Sequence, residues 1–166
     1  MPFLYINKND SNFSHHQDTL YLKQLKFSGI LYSLYPSGDT AFVKPYLNGL
    51  EEGIQTQWYD NKKLAEKRRM VDGKKEGLQE GWWPDGKRRF LFTTSQDLFV
   101  GELKEWNANG LLYKDCHYVN GQEEGSEKLW WDNGSIRANY VIRNGKRYGL
   151  LGVKICVNRY DSINKK

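Results

Sequence analysis

The chain holds few residues of the kind that do covalent or metal chemistry. Its histidines are His15, His16 and His117, and its cysteines are Cys116 and Cys156. A Cys–His pair would be the natural start for a thiol nucleophile. Cys116 and His117 are adjacent, however, and neighbours on an extended strand point to opposite faces. Asp115 and His117 share a face, but no nucleophile stands beside them. No zinc spacing, phosphate loop or nucleophile elbow occurs. The acidic residues gather in turns and Glu-Gly linkers, as surface residues do. The reading is a non-enzymatic chain with no catalytic residue, no metal and no cofactor. The alternative is an enzyme assembled from residues distant in sequence.

The chemistry that remains is recognition. Between Lys62 and Arg89 stand ten basic residues against five acidic ones, a surplus equal to the +5 net charge of the whole chain. Lys62, Lys63, Lys67, Arg68, Arg69, Lys87, Arg88 and Arg89 are candidates for binding a phosphate or carboxylate, the arginines with bidentate geometry. The competing explanation is a solvated sheet face, as for most charge runs. Tyr35, Tyr59, Trp83 and Trp131 form a second candidate set, since Trp, Tyr and Arg dominate interface hot spots. Their competing explanation is structural, because cross-strand aromatic pairs stabilise a sheet by themselves.

The elements that would position these side chains follow from a repeat. Gly29, Gly53, Gly77, Gly101, Gly125 and Gly149 lie 24 residues apart. Five residues into each unit stand Leu34, Trp58, Trp82, Trp106 and Trp130. The next position holds Tyr35, Tyr59, Trp83, Asn107 and Trp131. All six tryptophans fall on these two rows. Each unit reads as a hairpin. One turn is at Ser37-Gly38, Asp85-Gly86, Asn109-Gly110 or Asn133-Gly134. The other is at Asn48-Gly49, Asp72-Gly73, Asn120-Gly121 or Asn144-Gly145. Asn-Gly and Asp-Gly favour type I′ turns, whose two central residues both need positive φ. Turns this close leave no room for a helix, so an antiparallel meander is predicted.

In the second strands one parity is apolar: Phe42 and Tyr46, Leu64 and Met70, Phe90 and Phe92, Leu112 and Tyr118, Ile136, Tyr140 and Ile142. The other is polar, as in Lys67, Arg69, Arg137 and Asn139. This is the period of half-buried strands. The two aromatic rows must face opposite sides of the sheet. A two-residue turn puts the Tyr59 row on the apolar side, and an odd-length loop puts the Trp58 row there. The predicted fold is all-β: an elongated, twisted antiparallel meander of stacked 24-residue hairpins in a single curved sheet. Residues 1–26 read as a lead and a degenerate capping hairpin, and residues 27–149 as the array. Residues 150–166 read as a closing strand, Leu150–Val157, and a polar, frayed tail. The third unit has Gln96-Asp97 where others have a turn glycine, which suggests a bend in mid-array.

These residues resemble the MORN repeat in its bacterial variant form. The pattern is Gly-x-x-x-x-Trp-Tyr/Trp-x-Asn-Gly, as in Gly125–Gly134, then x-Asn-Gly-x-x-x-Gly, as in Asn144–Gly149. The linking element recurs in Gly73–Gly77 and Gly121–Gly125. The resemblance covers about residues 27–152 in five copies, with Lys62, Asn107 and the third linker as departures. It implies a twisted sheet of hairpins that serves as a scaffold or interaction module. It also implies two narrower roles: binding phospholipid head groups, or neutralising a neighbouring toxin as an antitoxin or immunity partner.

Bulk composition agrees with a binding array. Hydrophobic content is 39% and aromatic content 14%, with 16 glycines, a mixture that favours strands and turns. The partner expected is another protein, with an anionic lipid surface as the alternative. Nucleic acid is the weakest fit, because no recognition motif is present and the pI is only 9.1. Self-association through an unpaired end strand is a further expectation. Two cysteines make no disulfide framework, and no stretch approaches the roughly 18 apolar residues of a membrane span. Met1–Ile6 is too short for a signal-peptide core and lacks a cationic lead. With Met1 as the natural start, the expected location is cytoplasmic.

Overall fold

A computed structural model describes residues 4–152. The chain begins with a short strand, β1 (Tyr5–Asn7). A small three-stranded sheet follows, β2 (Phe13–His16), β3 (Thr19–Leu22) and β4 (Leu25–Lys26). Then come β5 (Gly29–Leu34), β6 (Thr40–Leu47), β7 (Leu50–Glu51), β8 (Gly53–Trp58), β9 (Leu64–Val71) and β10 (Lys74–Trp82). The rest are β11 (Arg88–Ser95), β12 (Leu98–Trp106), β13 (Leu112–Val119), β14 (Gln122–Trp130), β15 (Ile136–Arg143) and β16 (Lys146–Leu150). From β5 to β16 the strands pair antiparallel in chain order, except that β7 branches from β6, which also pairs with β8; they lie in one sheet of 13 strands that does not close into a barrel. The lead strand β1 joins it in parallel, Ile6 opposite Leu31. Most of the closing strand expected at Leu150–Val157, with Cys156 and the polar tail, lies outside the described residues.

The two turn sets differ, which corrects one expectation. At Asn48-Gly49, Asp72-Gly73, Asn120-Gly121 and Asn144-Gly145 both residues have positive φ, as a type I′ turn requires. Gln96 and Asp97 take the same conformation, with φ of 50° and 68° and no glycine. Glu76 Oε2 accepts from the Gln96 N–H at 2.8 Å, and Lys75 C=O accepts from the Asp97 N–H at 3.1 Å. The third linker therefore makes the same two-residue turn as the others, without a glycine. The other turns are not type I′. Only their last residue has positive φ, as in Gly38 (87°), Lys62 (65°) and Gly86 (93°). The Gly38 N–H closes a four-residue turn onto Tyr35 C=O at 2.9 Å. One residue is then extruded from the second strand, so Gln57 faces Glu66 while Trp58 faces Leu64. A three-residue loop with a bulge stabilises this geometry without a second residue at positive φ.

The bulge also corrects the face assignment. Leu64, Leu112 and Ile136 pair with Trp58, Trp106 and Trp130. Gln57 pairs with Glu66, on the face of Met70. Leu64 and Met70 share parity but lie on opposite faces, because the extruded residue resets the alternation between them. Phe90, Phe92, Cys116, Tyr118, Ala138, Tyr140 and Ile142 belong to the inner face. All of these but the half-buried Phe92 are buried, although the strands contact chiefly their ladder neighbours.

The inner filling comes in pieces. Leu20, Phe27 and Leu31 join the small sheet to the first unit, with Phe13 edge-on to Phe27 at 5.2 Å. Two N–H···O bonds fasten the same junction, Leu20 to Gly49 at 2.8 Å and Gly49 to Phe27 at 2.7 Å. A second cluster centres on Leu103, Cys116 and Tyr118, and a third on Ala138, Tyr140 and Ile142. Between the first and second clusters the floor is mixed, with buried Gln55 and Gln79 beside Met70 and Phe90.

Candidate binding surface

The aromatic candidates mostly serve the fold. Tyr35 Oη–H donates to Trp58 C=O at 2.7 Å, and Tyr59 Oη–H to Trp82 C=O at 2.8 Å. Trp83 Nε1–H donates to Trp106 C=O at 3.0 Å. Each ring is therefore a strut from one unit to the backbone of the next. Asn107 breaks the series. Its Oδ1 accepts from the Asn109 and Leu111 N–H groups at 3.1 and 3.0 Å, so it braces its own turn. Trp131, half exposed, carries the Arg137 guanidinium 5.0 Å from its ring centroid. Of this row Trp131 keeps the most exposed face.

The basic candidates do not form one patch. Lys62, Lys63 and Lys87 sit at the turn edge. Lys62 pairs with Asp39 at 2.9 Å, Lys87 with Asp85 at 2.9 Å, and Lys63 donates to Asp85 C=O at 2.8 Å. The hydrogen bonds from Lys62 and Lys87 hold the Asp39 and Asp85 carboxyls below their ordinary range. Arg68 and Arg89 point to the inner face, where both bind Glu66. Arg88 lies on the outer face, paired with Glu80 at 2.7 Å and stacked 5.1 Å from the Trp82 ring centroid. Lys67 and Arg69 are exposed on the same outer face, opposite Thr56 and Ile54, and form no ion pair among the described residues. Sequence proximity suggested a patch, but strand alternation and local acids divide it.

The sequence reading missed a buried polar row. Two residues after each of the first five 24-spaced glycines stands an inner-face position: Leu31, Gln55, Gln79, Leu103 and Glu127. All are buried, Gln79 at 0% and Glu127 at 1% exposure. The row was visible in the repeat, but its polar members disguised it as surface. Gln79 Nε2 binds Arg69 C=O, Gly77 C=O and Thr94 Oγ1, at 3.1 to 3.2 Å. Burial pushes the Glu127 carboxyl up, as does nearby Glu123. Hydrogen bonds with the Cys116 thiol and the His117 N–H oppose the shift. Burial also raises the Cys116 thiol, which Glu127 reinforces. His117 lies on the opposite face with Nδ1 2.8 Å from Glu124 C=O, so the expected separation from Cys116 stands.

In the first two units the inner face opens into a groove of about 470 Å³. Phe42, Gln55, Arg68 and Met70 line it, with Lys44, Glu51 and Lys75 around them. No group of three His, Cys, Asp or Glu side chains suited to a metal ion occurs among the described residues.

The pattern that defines the MORN repeat variant matches residues 51–72, the segment running through β8 and β9 to the first turn residues beyond it. No curated protein matches the chain. The turns and bulges of the matched unit recur along the sheet, and the match supports a MORN repeat protein with the fold of a repeat scaffold.

Proposed function

We propose that the protein is a non-enzymatic scaffold that binds another protein along the inner face of its sheet. The observation that supports this is the open groove of about 470 Å³ on a face otherwise filled by side chains. Repeat arrays commonly recognise partners along such extended surfaces. The narrower form is neutralisation of a toxin encoded nearby, which rests on the family likeness. The test is a tagged pull-down from the native source under gentle lysis. One stoichiometric protein is the expected result, and its absence sinks the reading. Co-expression with a neighbouring toxic gene tests the narrower form, where rescue of growth is expected.

A second reading is supported by the outer face. There Lys67 and Arg69 stand beside the exposed Ile54 and near the exposed Leu78. Cations beside aliphatic side chains suit an anionic lipid surface, at about 1 kcal/mol per basic residue. Pelleting with phosphatidylserine vesicles but not with neutral ones is the expected outcome. Equal pelleting with both removes the electrostatic mechanism.

A further inference from the structure

Five Asn-Gly dyads occur in the chain, beginning at Asn48, Asn109, Asn120, Asn133 and Asn144. Such a dyad reacts with itself. The glycine nitrogen attacks the asparagine side-chain carbonyl, and glycine has no side chain to crowd the attack. In a folded chain the reaction waits for the turn to open, because the nitrogen must leave its own hydrogen bond and reach the side chain. The hydrogen bonds that hold each turn therefore decide which dyad reacts.

Four linker turns are tied to the preceding unit. The N–H of the second turn residue donates to a carbonyl there: Gly49 to Phe27 at 2.7 Å, Gly73 to Glu51 at 2.9 Å, Asp97 to Lys75 at 3.1 Å and Gly121 to Phe99 at 2.9 Å. In three of these turns the first residue is tied as well. Asn48 N–H donates to Ser28 Oγ, Asp72 N–H to Glu52 Oε2 and Gln96 N–H to Glu76 Oε2, each at 2.8 Å. Asn120 lacks this second tie, because Val100 stands at the equivalent position and offers no side-chain acceptor. At Asn144 and Gly145 neither tie has a counterpart among the described residues. Gly110 and Gly134 are tied within their own loops, to Asn107 C=O at 2.9 Å and Trp131 C=O at 2.8 Å. Of the five glycine amides, only that of Gly145 meets no carbonyl among the described residues. The strand it leads into is exposed at every residue from Lys146 to Leu150.

We propose that Asn144-Gly145 is a self-modification site, where the last hairpin turn deamidates in preference to the other four dyads. Gly145 N bonds to Asn144 Cγ and closes a five-membered imide. The carboxamide nitrogen leaves as ammonia and carries off the proton of the Gly145 N–H. Solvent water then opens the imide at one of its two carbonyls and leaves an aspartate or an isoaspartate. The aspartate form fits the turn, since Asp72 holds the equivalent position with φ of 49°, against 52° for Asn144. It sets a new carboxylate beside Arg143 and Lys146, which line a cavity with Asn144. The isoaspartate form adds a backbone atom inside the turn, and turn geometry fixes register, so the pairing of Arg143 with Lys146 is broken.

The test ages the full chain in mildly alkaline buffer made with oxygen-18 water, folded and in urea. Peptide mass spectrometry and isoaspartyl methyl transfer follow each dyad. In the folded chain Asn144 is expected to react first and Asn48 last, at rates about tenfold or more apart, as two net hydrogen bonds supply. In urea the five are expected to react at similar rates. Equal rates in the folded chain, or a faster reaction at any of the other four dyads, overturn the proposal. So does an order that persists in urea, because it would come from sequence and not from the turns. Asn144→Gln is the control, and Gln96 shows that glutamine takes this position, with φ of 50°. The variant should lose the leading product and keep the slower four; an undiminished isoaspartate yield would overturn the assignment.

Discussion

Tyr59→Phe isolates one inter-repeat strut. The substitution keeps the ring and deletes only the hydroxyl that donates to Trp82 C=O at 2.8 Å. A net hydrogen bond contributes about 0.5–1.5 kcal/mol, and a part-buried carbonyl left unmet places the loss near the upper end. In a chain of this size 1 kcal/mol corresponds to about 2–4 °C in the melting midpoint. The predicted loss is therefore about 1 kcal/mol in urea unfolding, with the slope unchanged. Tyr35→Phe should cost the same, because its hydroxyl makes the same bond at 2.7 Å. Tyr148→Phe is the control, since Tyr148 is 56% exposed and its hydroxyl makes no hydrogen bond among the described residues. Its effect should stay within about 0.5 kcal/mol. The strut reasoning fails if Tyr59→Phe and Tyr148→Phe are indistinguishable.

Phe27→Ala should cost about 3–5 kcal/mol and detach the small N-terminal sheet, read as loss of amide-exchange protection at Thr19–Leu22. Gly81→Ala should destabilise by about 1–3 kcal/mol in denaturant, because a methyl there would overlap the Phe90 ring; no measurable loss would refute that packing. Glu127→Gln should stabilise the protein, and the gain should grow with pH. Burial raises the folded-state carboxyl above its unfolded value, so the folded state holds a proton that the unfolded state has released. Below the unfolded pKa both states are protonated and the penalty is absent. The native chain then loses stability relative to the Glu127→Gln variant as pH rises towards the folded pKa. Unfolding midpoints of both proteins between about pH 3 and pH 8 check this, and a difference constant with pH would refute it.

The fold was legible because the 24-residue glycine spacing and the Asn-Gly dyads act locally. Asn48-Gly49 and its equivalents adopt the expected turn because only their own φ angles matter. The first turn of each unit was misread, since a dyad such as Asn133-Gly134 suits both a two-residue turn and the end of a three-residue loop with a bulge. That bulge is decided by strand pairing, which no dyad encodes. Leu64 went to the wrong face for the same reason. The basic cluster was legible as composition but not as a surface, because Glu66 and Asp85 reach back to Arg89 and Lys87. The groove was hidden because its central residue, Gln55, looks like solvent-facing sequence and is instead buried.

The struts also make unit length a quantum. Tyr35, Tyr59 and Trp83 each reach a carbonyl 23 residues ahead, so each of the first three units gives one anchor to its successor. Insertion or removal of 24 residues within the array leaves every anchor with a counterpart of the same kind. Any other length displaces the bulges from the turns they serve. The array can thus be lengthened or shortened in whole hairpins, and its reach changes in steps.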